Sequence, residues 1–283
     1  MSLDLSTTRF APSPTGRLHL GHAMSAVLSH DFARARGGRF LLRVEDIDPG
    51  RAREEHIAGI EADLRWLGLH WDEPAVRQSQ RLPLYAEALE RLKDQGLVYP
   101  CFCTRADIAR SATAPHGPEG PLYPGTCRGL IAPDLDRPHA WRLDVAKATA
   151  LAGPLTWCDE RAGIVDARPE LLGDVVLARK DAPVSYHLAV TVDDATQGVT
   201  DVIRGQDLFL STHVHRLLQA LLGLPTPGYC HHRLLIGPDG ERLAKRHGAL
   251  ALADLRAEGV DPESIVAAFR QGRAPLGFRL SED

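Results

Sequence analysis

Residues 9–22 read Arg9-Phe10-Ala11-Pro12-Ser13-Pro14-Thr15-Gly16-Arg17-Leu18-His19-Leu20-Gly21-His22. A short strand-like run over residues 8–11 breaks at the Pro/Gly-rich stretch, and residues 18–36 read as a helix that Gly37-Gly38 ends. Phe40-Leu41-Leu42-Arg43-Val44 is then an apolar run suited to a buried parallel strand, closed by Glu45-Asp46-Ile47-Asp48-Pro49. Strand, helix and strand make a βαβ unit. The loop delivers His19 and His22 to the first helical turn, three positions apart and on one face. A helix N-terminus favours anions, and two imidazoles add directional donors beside it, which suits a nucleotide phosphate. Gly21 lets another group approach the backbone closely.

Outward from this unit, helices are expected over residues 51–67 and 82–95, the second capped by Gly96 before a strand over 98–102. From Cys101 to about Pro183, Pro and Gly become dense and periodicity weakens, which reads as an inserted subdomain. Regular structure returns over 186–193 and 202–203, followed by a helix over 212–222 and a strand over 233–236 that would complete the parallel sheet. A turn at Gly237-Pro238-Asp239-Gly240 leads to Leu243-Ala244-Lys245-Arg246-His247 and two short helices. The expected fold class is α/β. Its division is residues 1–97 and 184–236 as two halves of one domain, 98–183 as the insert, and 237–283 as a loop and short helical tail.

With 283 residues, 44% hydrophobic and 25% charged, the chain can bury a substantial core. No segment approaches the ~20 apolar residues of a membrane helix, and the N-terminus lacks a secretory pattern, so a soluble cytoplasmic protein is expected. The formal net charge of −4 argues against a generic polyanion binder; an RNA partner needs a local basic face. Cys101-Phe102-Cys103 with Cys127 downstream supplies three soft ligands, where a closed structural zinc site wants four. Ligand chemistry alone nominates His116 as the fourth.

The run from Arg9 to His22 resembles the signature of the class I glutamyl and glutaminyl tRNA synthetases, with their HIGH motif at His19-Leu20-Gly21-His22. Further landmarks follow in order: Arg43-Val44-Glu45-Asp46-Ile47-Asp48-Pro49, Tyr186-His187-Leu188-Ala189-Val190-Thr191-Val192-Asp193-Asp194 and Val202-Ile203-Arg204-Gly205-Gln206-Asp207-Leu208. A KMSKS-like loop is Arg242-Leu243-Ala244-Lys245-Arg246, in which Arg242 replaces the family's first lysine and Ala244 its serine. The resemblance implies a Rossmann-like catalytic domain that joins glutamate's α-carboxylate to the α-phosphorus of ATP, with Mg²⁺ on the nucleotide. It implies His19, Gly21, His22 and Lys245 at ATP, with His19, His22 and Lys245 catalytic. Arg9, Ala11, Ser13, Glu45, Tyr186 and Arg204 are then the expected glutamate contacts.

The Cys/Tyr/Cys pattern is similar to that of the glutamyl-queuosine branch of this family, which implies zinc on Cys101, Cys103, Tyr123 and Cys127. That branch esterifies glutamate to queuosine at the wobble position of tRNA(Asp), so the expected RNA partner is that anticodon stem-loop. Only 36 residues follow His247, too few for a helical anticodon-binding domain. A monomer is expected. Arg105, Arg110, Arg128, Arg242, Arg246 and Arg270 are the candidate RNA contacts. Two other readings stand beside this one: charging of the 3′ end of tRNA(Glu), and a catalytically silent binding protein suggested by Ala244.

Overall fold

The computed structural model describes residues 5–110, 116–117, 120–180, 182–237 and 251–282. The chain packs as two compact units, one drawn from Met1–Ser79, Gly198–Leu208 and Pro227–Asp283, the other from Gln80–Gln197 and Phe209–Thr226.

In the first unit the strand Thr7–Phe10, buried along its whole length, pairs in parallel with Arg39–Val44, which pairs in parallel with Val76–Arg77. The helix Leu20–Ala35 is the crossover between the first two, so the βαβ unit expected from residues 8–44 is present. Its return depends on Gly38: a β-carbon there would lie 1.8 Å from the carbonyl oxygen of Ser6, which accepts the Arg39 N–H at 2.8 Å. A second parallel pair, Asp201–Gly205 with Gly228–His232, lies beside the first strand, since Thr200 N–H donates to the Thr7 carbonyl at 2.9 Å. Apolar faces close over this framework. Phe10, Leu20, Val27, Phe40, Leu42 and Leu64 form one buried cluster with Leu252, Ile265 and Phe269 from the helices Leu252–Ala257 and Pro262–Arg270. Burial of each such side chain contributes about 1.5–3 kcal/mol.

The strand expected over 233–236 is a correction. The parallel strand is Gly228–His232, while Leu235–Ile236 pairs antiparallel with Arg279–Leu280. The strand escapes a sequence reading because His231 and His232 sit where apolar residues are expected. Both are buried against hydrogen-bond partners instead.

In the second unit an antiparallel sheet runs Val176–Ala178, Ala140–Leu143, Val98–Cys101. Beside it are the helices Leu82–Asp94, Val145–Ala152, Tyr186–Thr196 and Phe209–Leu222 and the hairpin Thr156–Asp159/Gly163–Asp166. The insert's strands of two to four residues are too short to register as periodicity. Asp193, fully buried, accepts from Arg81 Nε at 2.7 Å and from the Tyr85 hydroxyl at 2.8 Å, fixing one helix against another. The fold is therefore α/β with both parallel and antiparallel sheets. No helix among the described residues is long and apolar enough to cross a membrane.

Candidate active site and cysteine cluster

The loop that leaves Phe10 ends on His19, which is the N-cap of the helix Leu20–Ala35. His19 Nδ1 accepts the Gly21 N–H at 3.1 Å, and His22 Nδ1 accepts the His19 N–H at 3.1 Å, a reciprocal cap built from two imidazoles. An Nδ1 that accepts carries no proton, so the neutral form of each ring has its N–H at Nε2. The rings lie 3.8 Å apart between centroids. Gly21 supplies the close approach: the group that comes near its backbone is the His19 ring itself, 3.0 Å from where a β-carbon would stand.

Two further elements meet this loop. Glu45 N–H donates to the Pro12 carbonyl at 3.0 Å, which brings the end of the strand Arg39–Val44 alongside Ala11 and Ser13. Arg43, fully buried, directs its guanidinium at the Glu45 carboxylate at 3.7 Å. Asp46 anchors the acidic segment by accepting the Ser79 N–H and hydroxyl at 2.8 and 2.7 Å and Arg77 Nε at 3.0 Å. On the other side Ala251 bridges to His19, Leu252 N–H donates to the Leu18 carbonyl at 2.9 Å, and Arg17 pairs with Asp254. The KMSKS-like residues Arg242, Ala244, Lys245 and Arg246 lie outside the described residues; the first described residue after them, Ala251, stands against His19.

Arg204 occupies the parallel strand Asp201–Gly205 with 5% exposure. Its Nε donates to His231 Nε2 at 3.1 Å, its Nη2 to the Leu208 carbonyl at 3.2 Å, and it stands 5.5 Å from the Tyr229 ring. His231 is a residue the sequence reading missed. The register that pairs Arg204 with His231 was its one available signal, and that register needs the strand 228–232 to be recognised. Ser25, one turn beyond Gly21, and His232 Nε2 are likewise joined at 2.8 Å. Arg9 is buried in its strand, Ala11 half-buried and Ser13 exposed. The structure thus brings Arg9, Ala11, Ser13, His19, Gly21, His22, Glu45 and Arg204 into the first unit. Tyr186 belongs to the second, where its ring packs edge-on to His215 at 5.5 Å.

The second unit holds the cysteine cluster. The Sγ atoms of Cys101, Cys103 and Cys127 all lie within 4.8 Å of one another, with Cys103 and Cys127 at 3.6 Å. Tetrahedral zinc with Zn–S near 2.3 Å requires sulfur separations of about 3.8 Å, so the donor set fits a metal ion. The Tyr123 hydroxyl accepts the Cys127 N–H at 2.8 Å and stands 3.8 Å from Cys103 Sγ. The His116 side chain lies outside the described residues. Burial, with the neighbouring thiols, pushes the Cys103 thiol up to about 11. Burial also acts on Cys127, but hydrogen bonds from Tyr123, the Phe102 backbone and Cys103 outweigh it and hold that thiol below its ordinary value.

Among the arginines expected at RNA, two are committed to carboxylates of the chain. Arg128 donates to the buried Asp174 at 2.6 and 3.0 Å, and Arg270 to Asp31 at 2.7 and 3.0 Å. The side chains of Arg105 and Arg110 lie outside the described residues.

A histidine-capped helix after a Pro/Gly loop, between parallel strands, agrees with the comparison to known proteins. Residues 6–277 match the catalytic domain of class I tRNA synthetases (E and Q), and the chain belongs to that family. Within it, the chain is 53% identical over 270 residues to the glutamyl-Q tRNA(Asp) synthetase of Rhodobacter capsulatus, covering 91% of this chain and 97% of that one. It is also 40% identical to the glutamate–tRNA ligase of Geobacter sulfurreducens, covering 91% of this chain and 55% of that one. Among solved structures, the glutamate tRNA ligase of Elizabethkingia meningosepticum in complex with its amino acid superposes with a TM-score of 0.74 at 27% identity over 94% of this chain. The chain spans 60% of the length of that ligase.

Proposed function

We propose that the chain activates L-glutamate with ATP and transfers it to the queuosine at the wobble position of tRNA(Asp). The observation that carries this reading is the 53% identity to a glutamyl-Q tRNA(Asp) synthetase, against 40% to a glutamate–tRNA ligase. The parallel-strand unit is then a Rossmann-like catalytic core.

In the first step an oxygen of glutamate's α-carboxylate attacks the α-phosphorus of ATP, and the bond to pyrophosphate breaks. Negative charge grows on the phosphate oxygens, and donors already in place lower that barrier without reorganising. His19 and His22 supply such donors through their Nε2–H groups, at the N-terminus of a helix whose dipole has the same sign. Gly21 keeps that surface low enough for the nucleotide, which arrives with Mg²⁺. Lys245 adds a compact cation to those phosphates. Arg9 and Arg204 are suited to glutamate's carboxylates, and Glu45 to its ammonium, with Ala11 and Ser13 along the loop. A desolvated guanidinium meeting a carboxamide is a poor match, so glutamine is rejected. In the second step a queuosine hydroxyl attacks the glutamyl carbonyl of the mixed anhydride and AMP leaves.

Cys101, Cys103, Tyr123 and Cys127 hold a structural Zn²⁺ in this reading, whose contribution is to cross-link the insert. The enzyme works as a monomer in the cytoplasm, where its five cysteines stay reduced.

The test is transfer of labelled glutamate, with ATP and Mg²⁺, to tRNA(Asp) with and without queuosine and to tRNA(Glu). Label on queuosine-containing tRNA(Asp) alone, surviving periodate oxidation of the 3′ end, is the expected outcome. Label on tRNA(Glu) that periodate abolishes would make the chain a glutamate–tRNA ligase instead.

A further inference from the structure

One surface of the second unit carries a row of aromatic rings with a cation at each end. Lys93 Nζ stands 4.1 Å from the centre of the Trp141 ring. Trp141 meets His139 edge-on at 5.0 Å, His139 meets Phe102 at 5.6 Å, and Arg137 stands 5.1 Å from the Phe102 ring. Lys180 Nζ closes the row from the side by donating to the Phe102 carbonyl at 2.9 Å.

The fold, not the sequence, assembles this row. Trp141 lies in the strand Ala140–Leu143 opposite Pro100, and the chain runs from that partner strand through Cys101 directly into Phe102. Lys93 comes from the last turn of the helix Leu82–Asp94, where it also pairs with Glu90 at 2.8 Å. His139 is oriented by a hydrogen bond between its Nδ1 and the Arg137 carbonyl at 2.8 Å.

Rings that serve only as core are covered. Here Phe102, His139 and Trp141 are each half-buried, and Arg137 and Lys180 are exposed. The rings meet edge to face or tilted, so no ring is stacked flat on the next. Aromatic faces spaced along a surface suit bases, and cations flanking them suit the phosphates between bases. A duplex keeps its bases stacked on one another and cannot use such faces; an unpaired loop can. A lipid surface is disfavoured because three half-buried rings offer little apolar area to insert.

We propose that the row Lys93, Trp141, His139, Phe102 and Arg137 is a stacking platform for unpaired RNA bases. The proposal rests on the reading that the substrate is a tRNA, and it names the surface that takes the splayed loop. It also gives Phe102 a role between Cys101 and Cys103: a metal bound there would stiffen the segment that presents the ring.

The experiment measures binding of the full chain to a fluorescein-labelled RNA hairpin and to a blunt RNA duplex of the same stem, by anisotropy. Hairpin binding tighter than duplex binding is expected, with Trp141→Leu and Arg137→Ala each weakening it about tenfold and Trp141→Phe restoring it. Glutamate-dependent pyrophosphate exchange should be unchanged in all three, which shows that they fold. Hairpin affinities of Trp141→Leu and Arg137→Ala within about twofold of wild type would overturn the platform. So would equal affinity of the wild type for hairpin and duplex. If the wild type glutamylates queuosine-containing tRNA(Asp) while these variants bind normally, the platform falls and the function stands. If glutamate reaches no tRNA while hairpin binding follows the variants, the function falls and the platform stands.

Discussion

The backbone N–H of His19 donates to His22 Nδ1 at 3.1 Å, while His19 Nδ1 accepts the Gly21 N–H, so the same two rings cap a helix through Nδ1 and in their neutral form carry the proton on Nε2. Cap and chemistry can be separated by substitution. Asn is a strong N-cap residue, so His19→Asn should keep the wild-type melting temperature yet lower glutamate-dependent pyrophosphate exchange by roughly two orders of magnitude. His22→Ala should lose both, with about 1 kcal/mol of stability gone through the unsatisfied His19 N–H. Exchange within a few-fold of wild type in His19→Asn would remove the ring from catalysis.

The sulfur separations at Cys101, Cys103 and Cys127 predict a metal that stabilises the fold. Freshly purified protein should contain about one zinc per chain, and chelation should lower the melting temperature before it alters the glutamate dependence of exchange. Cys127→Ser should reproduce the chelated melting temperature and respond no further to chelator. Zinc-free protein that melts like the untreated wild type would refute the site.

How much of this was legible beforehand depends on whether the signal was local. The punctuation from Pro12 to Gly16 and the pair His19, His22 announce a strand, a loop and a helix N-terminus, because caps and turns are decided by neighbours in sequence. Cys101, Cys103 and Cys127 also come together as their residue types suggested, and Tyr123, which ligand chemistry alone passed over for His116, stands beside them as the family resemblance implied. Arg204 with His231, Ser25 with His232, and the row from Lys93 to Arg137 were not legible. Each depends on which strand or helix lies beside which, and polar residues buried by partners far along the chain leave no periodic trace. The same cause hid the strand Gly228–His232, whose buried histidines mimic a polar segment.

Asp193 illustrates what such nonlocal burial contributes. It has no exposed surface and accepts from both Arg81 and Tyr85, so Asp193→Leu leaves a largely buried guanidinium without its carboxylate. Breaking a buried pair from one side costs about 3–5 kcal/mol, whereas Tyr85→Phe, losing one hydrogen bond, should cost about 1 kcal/mol. Urea unfolding of the two variants should show that ordering. Equal destabilisation would mean that the ion pair contributes no more than the phenol.

The pair between Asp31 and Arg270 gives stability a pH dependence that can be read directly. Asp31 lies in the helix that His19 caps, and Arg270 ends the helix Pro262–Arg270, so the pair ties those two helices together. Burial alone would raise the Asp31 carboxyl. Hydrogen bonds from His30 and Arg270, with their charges, outweigh it and hold the group at about 2, against an ordinary 3.8. A depressed acid stabilises the fold fully above its unfolded value, and that contribution fades as pH falls from there towards the folded value. Arg270 is half exposed, so solvent screening limits the effect to about 1 kcal/mol or less. Urea midpoints of wild type and Asp31→Asn should therefore differ at about pH 5 and draw together as pH falls below about pH 4. A difference that stayed constant down to about pH 3 would show that Asp31 acts through shape and not through its charge.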